Sequence, residues 1–272
     1  MAYLRLAAIC GALILLLLLI APVQWLALRA RWDLRHAIPV ASCRILAWLL
    51  QLRVVAHGEM VPGQARLLAA NHVSWLDIIA LGSMAPACFL AKREVASWPV
   101  IAFFVRVQET VLVDRNRRRS IPGANAAMAQ RMLAGRAMVL FPEGTTGDGT
   151  ALKKFHSSHV ASARDLLATA AEVDKVAVQP VAIRYSSPHA AWFGDATLLP
   201  HVWAIVSGKP IRCEIAFGEA LPYRRGADRK EVTREIATRI GTLLEDAAPC
   251  ARAVFMGEAG AASIDTLAPL GS

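Results

Sequence analysis

The chain has 272 residues, with 30 Lys and Arg against 21 Asp and Glu for a formal charge of +9; 56% of residues are hydrophobic and only 19% charged. Soluble domains usually carry about 25% charged residues, so this composition excludes a disordered chain and points to contact with lipid, the basic excess suiting an anionic surface. The five Cys, at 10, 43, 88, 213 and 250, form no CxxC pair, which argues against a zinc site and against a stapled secreted scaffold.

Residues 6–28 carry no charge and include the run LILLLLLIAP. As a helix they reach roughly 35 Å, enough for a hydrocarbon core of about 30 Å. A cleaved signal peptide would have a shorter apolar core, and LALRARW is a poor cleavage site. The segment therefore reads as a retained anchor, spanning or, with Pro22, re-entrant. Arg29, Arg31 and Arg35 follow it while only Arg5 precedes it, which favours a cytoplasmic body on the inner membrane. Residues 37–56 are apolar but interrupted by Arg44 and Arg53. They predict a basic interfacial helix, with a core helix of the body as the alternative.

From about residue 60 short apolar runs alternate with helical patterns. Strands are predicted at Arg66–Ala70, Ala87–Ala91, Thr110–Asp114, Ala137–Phe141, Val176–Arg184 and Ile211–Phe217; helices at 75–84, 122–134, 157–170 and 229–246. That rhythm predicts an α/β fold, a mostly buried mixed sheet flanked by helices. The expected organisation is an anchor and interfacial helix over 1–56, one domain over 57–246 and a poorly ordered tail over 247–272.

Polar groups gather at strand ends. The first strand runs into Asn71 and His72, and Ser74 offers an N-cap for a helix with Asp77 in its first turn. If the helix starts between His72 and Asp77, the carboxylate can hold the imidazole, fix its tautomer and stabilise its charged form. The same spacing fits an Asp77 that only caps and a His72 that is an ordinary polar residue. A second strand end, FPEGTTGDG over 141–149, exposes backbone N–H groups suited to a phosphate or an oxyanion, without the spacing of a phosphate-binding Walker loop. Asp114-Arg115-Asn116-Arg117-Arg118-Arg119 is strongly basic. It lacks interleaved aromatics, so nucleic acid is not expected as a partner. No GxSxG elbow is present, and His156 and His159 have no further ligands near them in sequence.

NHVSWLD, ETVLVDR, FPEGTT and the VQPVA strand entering VAIRY occur in that order, with FLAKREVASWP between the first two. Together they resemble the lysophosphatidic acid acyltransferase (1-acylglycerol-3-phosphate O-acyltransferase) family, and FPEGTTGDG with LKKFHSS resembles its lyso-ornithine lipid acyltransferase branch. The resemblance implies acyl transfer from acyl-CoA or acyl carrier protein to a lysophospholipid or lyso-ornithine lipid in the membrane, with no metal or cofactor. It implies His72 as general base, Asp77 as its orienting partner, and Asn71, Arg115, Glu143, Gly144 and Thr145 as substrate contacts. A non-catalytic lipid-binding protein would be expected to lose His72 or Asp77. Family frequency puts lysophosphatidate first as acceptor. Two departures favour the lyso-ornithine lipid: Glu109 stands where the family usually has Gly, and Thr146 where many members have Arg.

Overall fold

The computed structural model describes residues 2–63, 65–114 and 117–246. The chain opens with helices α1 (Ala2–Leu15) and α2 (Ala21–Ala30), joined through the π-helical turn Leu16–Ile20, and continues with α3 (Leu34–Leu49). The α/β body follows in the order β1 (Leu52–His57), β2 (Arg66–Ala70), α4 (Leu76–Met84), β3 (Ala87–Lys92), α5 (Pro99–Val107), β4 (Val111–Val113), α6 (Ile121–Leu133) and β5 (Ala137–Leu140). It closes with α7 (Ala161–Thr169), β6 (Lys175–Tyr185), α8 (Leu198–Ser207), β7 (Ile211–Phe217), β8 (Leu221–Arg224) and α9 (Arg229–Asp246).

The sheet order is β1-β7-β6-β2-β5-β3-β4, with β8 on β6. β6, β2, β5, β3 and β4 run parallel, whereas β7 and β8 pair antiparallel with β6, and β1 pairs parallel with β7. The sheet is thus mixed, as predicted. Central strands are buried on both faces, which their near-continuous apolar sequence requires. Leu68 and Ala70 of β2 join the core under α3, α4 and α8. Leu67 and Ala69 point the other way, to the core with Met128 of α6, Leu166 of α7 and Ile236 of α9. Because β2, β5, β3 and β4 are parallel, the segments after them emerge at one edge of the sheet.

Two expectations about the N-terminal region change. Residues 52–56, expected at the end of an interfacial helix, belong to β1, so the sheet begins before residue 57. The turn between them is made at Gln51, whose φ of 55° is left-handed. Helix α3 buries Val40, Cys43, Leu46 and Ala47, as a core helix does, while Ile45 and Trp48 stay exposed. The uncharged N-terminal segment is one apolar helical run, Tyr3–Ala30. Leu6, Ile9, Ala12 and Leu13 pack on the body's core, and Ile20 and Ala21 pack on Val107 of α5. Both ends are tied to the body: Arg5 donates to the Val206 carbonyl of α8 and Gln24 to the Val107 carbonyl. The tail expected over 247–272 lies outside the described residues.

Candidate active site

β2 ends at Ala70 and α4 starts at Leu76, so residues 71–75 form the loop that carries the first motif. Asn71 locks that loop to the sheet. Its amide donates to the Ile183 carbonyl of β6 and its carbonyl accepts from the Ile183 N–H, at 2.9 and 2.7 Å. Next to it, His72 turns its Nδ1 to Asp77 Oδ2 at 2.7 Å. A carboxylate oxygen only accepts, so Nδ1 carries the hydrogen and Nε2 is the nitrogen able to take a proton.

Asp77 is fully buried. A buried carboxylate is tolerated only when its oxygens are supplied with donors, and this one is. Oδ2 also accepts from the backbone N–H groups of Val73 and Ser74 at 2.8 and 3.0 Å. Oδ1 accepts from the Tyr185 hydroxyl at 2.6 Å. The capping pair expected here is therefore one-sided: Asp77 reaches back to the loop N–H groups, but Ser74 makes no side-chain cap, and its buried Oγ has no partner among the described residues. Burial, followed by the nearby Asp77 charge, pushes the Tyr185 phenol well above its ordinary range. It remains a donor throughout the working pH range.

The His72 ring stacks on Phe141, with centroids 4.0 Å apart and planes 14° from parallel. Phe141 follows β5 directly, so the second motif supports the imidazole. Glu143 brackets the two loops: Oε1 accepts from the His72 N–H at 2.8 Å and Oε2 from the Lys153 N–H at 3.0 Å. Burial raises the Glu143 carboxyl above its ordinary range, opposed by those two N–H donors. Gly147 N–H closes the bracket on the His72 carbonyl at 2.8 Å. Gly144 turns at φ 73°, a conformation glycine adopts without cost. Thr145 is exposed beside it. The Lys153 ammonium donates to the Thr146 carbonyl at 2.7 Å.

The structure thus brings Asn71, His72, Asp77, Glu143 and Gly144 to one edge of the sheet. Arg115 lies outside the described residues; its neighbour Asp114 leaves β4 at the same edge and pairs with Arg117 at 3.3 Å. Gln179 of the fourth motif is architectural, holding Glu59, Val61 and Gly218 through backbone groups.

Glu109 departs from the expectation drawn for it. Its carboxylate pairs with Arg136 at 2.9 Å and faces Arg131 at 3.9 Å. Arg136 immediately precedes β5, whereas Glu143 follows it, a separation of roughly 20 Å along extended chain. The Arg136 side chain is only 6% exposed and also meets His36 of the N-terminal region. Glu109 is committed to a partly buried ion pair with Arg136, so its carboxylate already has a cation partner.

Among the described residues, no three His, Cys, Asp or Glu side chains converge as a metal site would need. Tyr185 escaped the sequence reading because it falls one residue past the predicted end of β6. The signal was present: Val181 and Ile183 face the core under α4, and the two-residue period puts Tyr185 on that face too.

A family model described as Acyltransferase matches residues 53–184. The chain is 38% identical to the lyso-ornithine lipid O-acyltransferase of Rhizobium meliloti, over 88% of this chain and 86% of that one. It is 36% identical to the Brucella abortus protein of the same name, over 89% and 95%. The 1-acyl-sn-glycerol-3-phosphate acyltransferase of Neisseria gonorrhoeae is 34% identical over 68% of this chain and 71% of its own. The fold is that of the 1-acyl-sn-glycerophosphate (LPA) acyltransferase of Thermotoga maritima, with a TM-score of 0.61 at 17% identity, covering 91% of this chain and 98% of the other.

Proposed function

This chain belongs to the acyltransferase family, and within it we propose that it transfers a fatty acyl group to the free hydroxyl of a lyso-ornithine lipid, completing an ornithine lipid. The observation that carries the acceptor is extent of similarity. The Rhizobium and Brucella relatives named lyso-ornithine lipid O-acyltransferase align over 88–89% of the chain, the Neisseria glycerol-phosphate enzyme over 68%. Family frequency alone puts lysophosphatidate first; the extent of similarity is what supports the lyso-ornithine lipid in its place. Lysophosphatidate stays as the second reading, supported by that Neisseria relative.

His72 Nε2 accepts the proton of the acceptor hydroxyl as its oxygen attacks the thioester carbon of acyl-CoA or acyl carrier protein. The new C–O bond leaves a tetrahedral oxyanion, which collapses by breaking the C–S bond. The leaving thiolate takes the proton from the imidazolium, so no acyl-enzyme forms. Asp77 stabilises the imidazolium through Nδ1, and Tyr185 with the Val73 and Ser74 N–H groups holds the carboxylate in place. Arg115 and Lys153 supply positive charge for the acceptor's carboxylate or phosphate, and Gly144 and Thr145 shape the loop that meets it.

The helix Tyr3–Ala30 is about 42 Å long at 1.5 Å per residue. A crossing helix would leave one end on the far side of the hydrocarbon, yet both ends contact the same body. We read it as an anchor lying along one leaflet of the inner membrane, with its outward Leu, Ile and Trp side chains in lipid and the body in the cytoplasm. Membranes containing the protein, supplied with both acceptors and a labelled acyl thioester, test the acceptor. Label entering lyso-ornithine lipid supports the reading; label entering lysophosphatidate alone overturns it.

A further inference from the structure

Helix α8 reads LLPHVWAIVS and contains no Asp, Glu, Lys or Arg. Its inner side is ordinary core, with Ile205 and Val206 buried and Val202 packed against them. The outer side is also apolar. Leu199 and Trp203, four residues apart and therefore on one face, are 78% and 37% exposed, and Phe193 in the preceding loop is exposed as well. Scattered apolar side chains on a surface need no explanation, but a contiguous patch does.

The exposed face of α8 does not stop at that helix. The Trp203 ring lies 5.1 Å from that of Tyr3, and Arg5 bonds the Val206 carbonyl near the C-terminus of α8 at 2.7 Å. Tyr3 and Leu4 are exposed, as are Ile14, Leu15, Leu18, Leu19, Trp25 and Leu26 farther along the N-terminal helix. One apolar surface therefore runs from α2 across α1 to α8, with aromatic rings of the kind that settle at headgroup level.

The inner side of α8 is fastened to the candidate site. His201 Nδ1 accepts from the Trp75 indole N–H at 3.0 Å, which leaves its Nε2 to donate to the carbonyls of His189 and Ala191, both at 3.1 Å. The Trp192 N–H donates to the Val73 carbonyl at 2.9 Å. Trp75 and Val73 belong to the loop that carries His72.

We propose that α8 with the Phe193 loop is a second lipid-contacting surface, continuous with the N-terminal helix, which seats the His72 loop at the headgroup level of the bilayer. The occupant is the lipid itself, because the patch extends a helix already read as lying in the leaflet. The inference rests on that reading of the N-terminal helix. It adds a consequence: the acceptor hydroxyl reaches His72 from within the leaflet, without the acceptor leaving the bilayer.

The test uses full-length protein on vesicles of phosphatidylethanolamine and phosphatidylglycerol in equal parts, doped with a phospholipid bearing a photoreactive diazirine on its acyl chain. Peptide mapping should find label both on residues 3–26 and on residues 193–203. Label confined to 3–26 overturns the α8 surface and leaves the N-terminal anchor standing; label on neither overturns both. A Leu199→Asp, Trp203→Asp protein should turn over vesicle-borne acceptor about tenfold or more less efficiently, while turnover of a short-chain acceptor dissolved in water stays unchanged. Equal losses on the two acceptors overturn the proposal. So does self-association of the wild type that buries α8 against a second copy and vanishes in the double variant.

Discussion

Tyr185→Phe removes a single hydroxyl and leaves the ring to pack as before. That hydroxyl is the donor to Asp77 Oδ1, while Oδ2 keeps its contacts with His72, Val73 and Ser74. A hydrogen bond to a charged group is worth about 1.5–3 kcal/mol, which caps the effect on turnover at roughly 10–150-fold. Because Oδ2 still anchors the carboxylate, we expect kcat to fall about tenfold with KM little changed. Losing a donor also makes Asp77 a stronger acceptor toward the imidazole. The buried oxygen left without a donor costs about 1–3 kcal/mol of stability. The assay is turnover of labelled acyl thioester, with thermal unfolding alongside. A folded Tyr185→Phe protein with unchanged kcat refutes the positioning role. A selective rise in KM refutes it too, since that would make Tyr185 a substrate contact.

Glu109→Ala strips the buried Arg136 of its carboxylate partner and should cost about 3 kcal/mol, read by denaturant unfolding, while the ratio of rates on the two acceptors stays fixed; a changed ratio would restore Glu109 as a selectivity residue. Burial is the main cause that lowers His201 below its ordinary 6.5, against the two carbonyls that accept from it. Between its folded value and 6.5 the unfolded chain binds more protons, so stability falls as pH drops below about 6.5. His201→Gln, which cannot charge, should flatten that part of the curve, and an unchanged slope would count against the assignment. Lys153→Ala should raise KM for an anionic headgroup about tenfold, the scale of one charge-assisted contact, and leave kcat near wild type; a fall in kcat alone would place Lys153 elsewhere in the reaction.

How much of this was legible in the sequence depends on how local the signal is. β2, β7 and α9 have the bounds their patterns predicted, because apolar runs and caps are local. β1 was absorbed into the preceding helix because residues 37–56 form one apolar stretch. The break falls at Gln51, a left-handed residue with no glycine to announce it. α5 and α8 escape for a related reason: PVIAFFVRV and LLPHVWAIVS are short, almost wholly apolar runs of the kind that also form buried strands. His72 and Asp77 were readable because five residues and a helix start bring them together. Glu109 is a different case, because its place beside the second motif says nothing of the cation it pairs with. That partner, Arg136, lies just before β5, well away in sequence.

The central claim is that His72 takes the proton from the acceptor hydroxyl. Its most direct test is single-turnover acyl transfer by His72→Ala, in a protein whose unfolding temperature matches wild type. A positioned base contributes on the order of 10²–10⁴-fold, so transfer to lyso-ornithine lipid should slow by at least that factor while acceptor binding persists. Transfer at a near wild-type rate would contradict the account.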